Sequence, residues 1–208
     1  MMRVHSALPT LIYMTDRHRA TPLPPPPLPG NKRQWIIVRH PDPQIRAQQT
    51  DAARRACLSR RDIIVRPSLA PGCPPPLMPG HCPEVFWRRD PLRRCRSARH
   101  LLSFAVHGHH AAQAARALVQ GVFLVSPVLP TASHPGGRTL GWIRARRLVD
   151  MLGQPCFALG GMRRGLAKKA RANGFAGIAG TGLLPNTILQ SIDCKILRSN
   201  AARACRFA

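Results

Sequence analysis

The stretch VFLVSPVLPTASHPGGRTLGWIRARRLVDMLGQPCFALGG, residues 122–161, decides the fold. VFLVSPV (122–128) is apolar on both faces of an extended chain and runs into a loop rich in Pro, Ser and Gly. LGWIRARRLVDML (140–152) places Ala145, Leu148, Val149 and Leu152 at helical spacing, so those four are expected to point inward. PCFALGG (155–161) is a second apolar run that ends in two glycines. A strand buried on both faces, then a helix, then another such strand is the unit of a parallel sheet covered by helices.

The alternation continues in both directions. MRRGLAKKARANG (162–174) reads as a helix opening at Met162, and FAGIAG (175–180) as a last strand. Upstream, LLSFAVH (101–107) is a strand, and HHAAQAARALV (109–119) a helix with Ala111, Ala112, Ala115, Leu118 and Val119 on one face. LIYMT (11–15), WIIVR (35–39) and DIIVR (62–66) are three more strands. Residues 43–60 suit a helix carrying Ile45, Ala52 and Ala56 on its apolar side. SLAPGCPPPLMPGHCPE (68–84) holds too many prolines for a regular helix and leaves room for a fourth strand at 78–82.

Eight such units describe an α/β protein, a (β/α)₈ TIM barrel that is compact and degenerate around strands 3 and 4. An open doubly wound sheet is the alternative. No Gly-x-Gly-x-x-Gly follows the first strand, which favours the barrel. Residues 1–180 are read as this one domain and 181–208 as a C-terminal extension. TPLPPPPLPG (21–30) is a loop or polyproline segment.

The chain of 208 residues carries 32 Lys+Arg against 8 Asp+Glu, a formal charge of +24. Only one acid is a glutamate, Glu84, which excludes calcium cages and multi-carboxylate metal clusters. No run approaches the ~20 apolar residues of a membrane span, so no membrane partner is expected. The seven cysteines form no C-x-x-C pair, and the N-terminus lacks the apolar core of a signal peptide, so a cytoplasmic location is expected. The arginines occur in nearly every segment and aromatics are only 5%, so the charge reads as dispersed, and nucleic acid is not the expected partner.

In a barrel, catalytic groups lie at the carboxyl ends of the strands. That end would present Thr15, Arg39 and His40, Arg66, His81, His107, the loop Ser126–Arg138, the pair Gly160–Gly161, and Gly177 with the rest of the eighth strand. Glycines there let the main chain approach an anion. The loop offers Thr131, Ser133 and His134, stiffened by Pro127, Pro130 and Pro135. His109 and His110 read as solvated residues before a helix, and Cys156 as a small core residue.

FLVSPVLPTASHPGGRTLGWIRARRLVDMLGQPCFALGGM (123–162) resembles the thiamine-phosphate synthase / TenI family. The likeness lies in a Ser-Pro-Val-x-Pro-Thr-x-Ser-His segment after strand six and an apolar-Gly-Gly-apolar segment after strand seven. YMTD (13–16), HCPE (81–84) and AVH (105–107) are looser echoes. The resemblance implies a (β/α)₈ transferase that joins a hydroxymethylpyrimidine diphosphate to a thiazole phosphate, releases pyrophosphate and uses Mg²⁺. It implies that Thr131, Ser133 and His134 serve the diphosphate as catalytic residues, and that Gly160, Gly161 and Gly177 hold the thiazole phosphate. Arg39, His40, His81 and His107 would contact the pyrimidine or the diphosphate. The chain departs from the pattern after strand three, where VRPSL (65–69) replaces the Asn-Asp whose aspartate binds Mg²⁺. It departs again at Pro127, which stands where thiazole tautomerases keep a histidine. A barrel that binds a phosphorylated ligand without turnover is the second reading, and a polyanion binder the third.

Overall fold

A computed structural model describes residues 8–15, 34–56, 63–67, 80–88, 103–117, 121–131, 135–181 and 183. Eight strands lie in them: β1 (Leu11–Met14), β2 (Gln34–Val38), β3 (Ile63–Pro67), β4 (His81–Cys82), β5 (Ser103–Val106), β6 (Val122–Val125), β7 (Cys156–Leu159) and β8 (Gly177–Gly180). All pair in parallel in the order β3-β2-β1-β8-β7-β6-β5-β4. The contact of β8 with β1 bends the sheet back on itself, which makes it a barrel rather than an open doubly wound sheet. Among the described residues no pairing joins β3 to β4, so the ring is nearly closed, with its remaining seam between those two strands.

Strand alternation sorts the core into two layers. Ile12, Met14, Trp35, Ile37, Val122, Leu124, Phe157 and Ala179 fill the lumen. Trp35 stacks on Phe157 from β7, with ring centroids 6.5 Å apart. The opposite faces of the same strands (Phe104, Val106, Phe123, Val125, Cys156, Ala158 and Ile178) pack outward against helices. Phe104 stacks on Phe123 at 5.7 Å and meets Trp87 edge-on at 6.4 Å. The Trp87 indole N–H donates to the Ala105 carbonyl at 2.9 Å, which satisfies its one polar group inside that layer.

The helices are α1 (Pro43–Ala56), α2 (Glu84–Trp87), α3 (His109–Ala115), α4 (Gly141–Leu152) and α5 (Ala167–Ala172). α4 buries Ala145, Leu148, Val149 and Leu152 as their spacing requires, and ends at Gly153 in the left-handed conformation. α3 buries Ala111, Ala112 and Ala115, while Leu118 and Val119 lie outside the described residues.

Two helices differ from expectation. Ile45 in α1 is exposed, and the helix turns Arg46, Thr50 and Ala53 inward instead. The cap sets this phase. Asp42 Oδ1 accepts the N–H groups of Gln44 at 2.7 Å and Ile45 at 2.9 Å, and the Arg46 guanidinium reaches back to the His40 carbonyl. Met162 opens no helix. It is buried, Arg163 after it is extended, and a 3₁₀ turn at Arg164–Leu166 leads into the short α5. Leu183 packs into the outer layer, and residues 184–208 lie outside the described residues. Among the described residues no helix is long and apolar enough to cross a membrane.

Candidate active site at the carboxyl end of the barrel

Strand six and strand seven continue to hold each other beyond the sheet. The Val128 N–H donates to the Leu159 carbonyl at 2.8 Å, and the Leu129 N–H to the Gly160 carbonyl at 3.2 Å. The loop after β6 then closes on itself. Leu140 N–H donates to the Pro127 carbonyl and Gly141 N–H to the Val128 carbonyl, both at 2.9 Å. Residues 127–130 are therefore fixed at both ends, with the Ser126–Pro127 peptide in the cis form.

The paired glycines are a steric requirement of this seam. Gly160 has φ +92° and Gly161 φ +64°, values that side-chain-bearing residues avoid. A Cβ on Gly160 would lie 2.9 Å from the Cα of Pro127, and one on Gly161 would lie 2.7 Å from the Cβ of Leu129 and collide with the Pro130 carbonyl. The glycine turn and the proline loop are thus one packed unit at the mouth. Thr131, at the end of the described part of that loop, is half-buried there. Ser133 and His134 lie outside the described residues.

Beside this unit stands His107, one residue past β5. Its main-chain N–H donates to Glu84 Oε2 at 2.7 Å. Its ring Nδ1 lies 3.1 Å from the Ser126 carbonyl and 3.0 Å from the Ser126 hydroxyl. A carbonyl oxygen only accepts, so the Nδ1–H tautomer fits this position, leaving the Nε2 lone pair on the other side of the ring. The sequence reading named Glu84 only as a nearby acid and Ser126 only as the start of a loop. Both lie one or two residues past a strand end, a signal that matters only once the strand ends are placed.

Across the mouth, Arg39 follows β2. Its main-chain N–H donates to Thr15 Oγ1 at 2.8 Å, and its Nε to the Thr15 carbonyl at 3.0 Å. Thr15 is fully buried, so the stem of this guanidinium is fixed at the carboxyl ends of β1 and β2.

Three expected site residues belong elsewhere. His81 pairs in register with Ser103, the first residue of β5, four residues before His107. At about 3.3 Å per residue that is roughly 13 Å down the strand, at the amino end of the barrel. His81 is buried there with its Nδ1 3.1 Å from Ser103 Oγ. Gly177 opens β8 in register with Phe157, three residues before Gly160, and so lies about 10 Å below the glycine pair. It is glycine because the Phe157 ring would stand 2.9 Å from a Cβ, with the Thr10 carbonyl closer still. His40 serves the turn into α1, its Nδ1 accepting the Asp42 N–H at 3.1 Å.

The donor set of the described mouth does not fit a Mg²⁺ ion. Magnesium takes hard oxygen ligands, carboxylates above all. One oxygen of Glu84 serves His107, and the other lies 3.4 Å from Arg88. The end of β3 carries Arg66 and Pro67, and among the described residues no three His, Cys, Asp or Glu side chains gather closely enough to hold a metal.

The model of the family Thiamine monophosphate synthase matches residues 87–183, which contain the loop, the glycine pair and the strands that carry them. A protein of Aquifex aeolicus (strain VF5) described as "Putative thiamine-phosphate synthase 2" is 26% identical over 103 residues, 50% of this chain and 55% of that protein. The chain thus matches about half the length of this curated relative. A solved structure of a thiamine phosphate pyrophosphorylase from Pyrococcus furiosus superposes with a TM-score of 0.52 at 16% identity, covering 88% of this chain and 96% of that one, and shares its fold. With the two sequence motifs joined at one end of one barrel, the chain is similar over residues 87–183 to the thiamine monophosphate synthase family.

Proposed function

We propose that the protein catalyses a thiamine-phosphate synthase reaction, joining hydroxymethylpyrimidine diphosphate to thiazole phosphate and releasing pyrophosphate. The observation that carries this reading is the packing of the 127–130 loop onto Gly160–Gly161 at the carboxyl end of the barrel. The family motifs for the two phosphorylated groups meet in that unit.

The chemistry asks for two things. The carbon–oxygen bond to the diphosphate breaks, and the pyrimidine-methyl cation left behind is captured by the thiazole nitrogen. Positive groups and N–H donors must hold the negative charge that develops on the leaving diphosphate. In this reading the main chain at Gly160 and Gly161 receives the thiazole phosphate, at a turn that only glycine can pack against the 127–130 loop. Thr131, Ser133 and His134 serve the diphosphate from the loop, and Arg39 supplies a fixed positive charge across the mouth. His107 lines the mouth between them, its ring aimed by Ser126 and its main chain held by Glu84.

The test is turnover and binding measured separately. Purified protein given both substrates should form thiamine phosphate, and His134→Ala should abolish product while His5→Ala leaves it intact. Calorimetry should show binding of thiazole phosphate that Gly161→Ala weakens by more than tenfold. Binding without product would leave a phosphate-ester-binding barrel, and absence of both would defeat the reading.

A further inference from the structure

β4 is two residues long and pairs with β5 at His81↔Ser103 and Cys82↔Phe104. Above that level, side chains of α2 complete the edge of β5 that faces β4. The Trp87 indole N–H donates to the Ala105 carbonyl at 2.9 Å, and Glu84 Oε2 accepts the His107 N–H at 2.7 Å. The other edge of β5 is held by the Ser126 N–H, which donates to the Val106 carbonyl at 3.0 Å. The end of β5 is thus gripped from both sides at the height where a barrel carries its catalytic groups. Phe104 and Val106 pack outward, so strand alternation turns the His107 side chain toward the barrel axis, where it is exposed. The last lumen-facing side chains beneath the mouth are apolar: Met14, Ile37 and Leu124, with Leu159 packed against them.

The hydrogen-bonding sense of this ring is fixed. Its Nδ1–H is spent on the Ser126 carbonyl at 3.1 Å, so Nε2 of the neutral ring offers only a lone pair. Among the described residues nothing bonds Nε2. We infer that His107 reads the exocyclic group of the pyrimidine, accepting an N–H from an amino substituent and rejecting an oxo substituent, with Glu84 as its positioning residue. The apolar floor suits a flat ring, and the single lone pair above it asks that ring for a donor. A carbonyl in the same place would set lone pair against lone pair and leave both unpaired. Arg88 stands 3.4 Å from the other Glu84 oxygen and steadies the carboxylate that holds the His107 main chain. The inference takes the pyrimidine from the proposed reaction and adds which pyrimidine the mouth selects.

The experiment is calorimetry on the full chain at pH 8 with two ligands. One is a hydroxymethylpyrimidine diphosphate with an amino group on the carbon next to the hydroxymethyl arm, and the other is its oxo counterpart. The wild-type protein should prefer the amino ligand by more than about tenfold, since a site built to accept an N–H rejects the analogue that lacks it. His107→Ala should cut that preference to less than about threefold, with the loss falling on the amino ligand. His107→Gln, whose carboxamide both accepts and donates, should keep the amino ligand and gain the oxo one. Glu84→Ala should shrink the preference and Glu84→Gln, which retains an accepting oxygen, should restore most of it. A merely structural role for Glu84 would weaken both ligands alike. Asp150→Ala, on the exposed side of α4, should change neither affinity. Equal wild-type affinities, no binding of either ligand, or an unchanged preference in a folded His107→Ala or His107→Gln protein overturns the inference. Product formation is assayed separately: thiamine phosphate made without an amino preference keeps the proposed reaction and sinks this inference, and an amino preference without product does the reverse.

Discussion

Gly161 and Leu129 sit so close that a Cβ on the glycine would lie 2.7 Å from that of the leucine. The turn after β7 and the loop after β6 therefore cannot vary independently. Gly161→Ala adds strain at φ +64° to this collision, and should destabilise the fold by about 1–3 kcal/mol in urea unfolding. Gly136 has φ +73° but open space around it, so Gly136→Ala should cost the backbone strain alone.

The lumen rests on large side chains from strands far apart in the chain. Phe157 is fully buried and stacks on Trp35. Phe157→Ala would leave a cavity there and should cost about 3–5 kcal/mol in equilibrium unfolding. Its effect on Tm should exceed that of any single substitution on the exposed side of α4.

Asp42 gives an acid limit to stability. The main-chain N–H of Ile45, then that of Gln44, holds its carboxyl below the ordinary 3.8, with the charges of His40 and Arg46 adding to the effect. A lowered carboxyl stabilises the fold above its unfolded-state value, and that contribution is lost as pH falls through the native value. Asp42→Ala should lower Tm at pH 7 and flatten the fall of Tm below pH 4.

Cys156 gives a limit of opposite sign. Burial pushes its thiol up to about 12 from the ordinary 9.0. Its stabilisation is complete below the unfolded-state value and is lost as pH rises toward 12. At pH 8 the native protein should leave Cys156 unlabelled by iodoacetamide, with labelling of that peptide appearing in mass spectra only on unfolding.

The ring of His107 should be the Nδ1–H tautomer at neutral pH, visible in its ¹⁵N shifts. Ser126→Ala should preserve that tautomer, because the Ser126 carbonyl remains at 3.1 Å, and should cost about 1 kcal/mol of stability. A switch to the Nε2–H form in the wild-type protein would contradict the assigned geometry.

The parallel barrel was legible because its strands are apolar on both faces and α4 carries an unambiguous stripe. The phase of α1 was not. A capping aspartate and a buried arginine stem outweighed the pattern of Ile45, Ala52 and Ala56, and composition alone does not reveal that Arg46 turns its guanidinium onto the His40 and Pro41 carbonyls. At the site, the glycine pair and the proline loop were legible because both are extreme in composition. His81 and Gly177 were misplaced for one reason: a strand's residues show alternation but not height, and height along the barrel axis appears only when neighbouring strands fix the register. The helix expected at Met162 failed because a buried methionine side chain holds the chain extended before the 3₁₀ turn.

The three tryptophans occupy three separate depths: Trp35 in the lumen, Trp87 between sheet and helices, and Trp142 on the outer wall beneath Lys169. Each single-tryptophan derivative thus becomes an optical gauge of one shell. Emission from Trp142 should be quenched readily by iodide, which the surrounding cations attract, while Trp35 should stay blue-shifted and protected until the ring of strands itself comes apart.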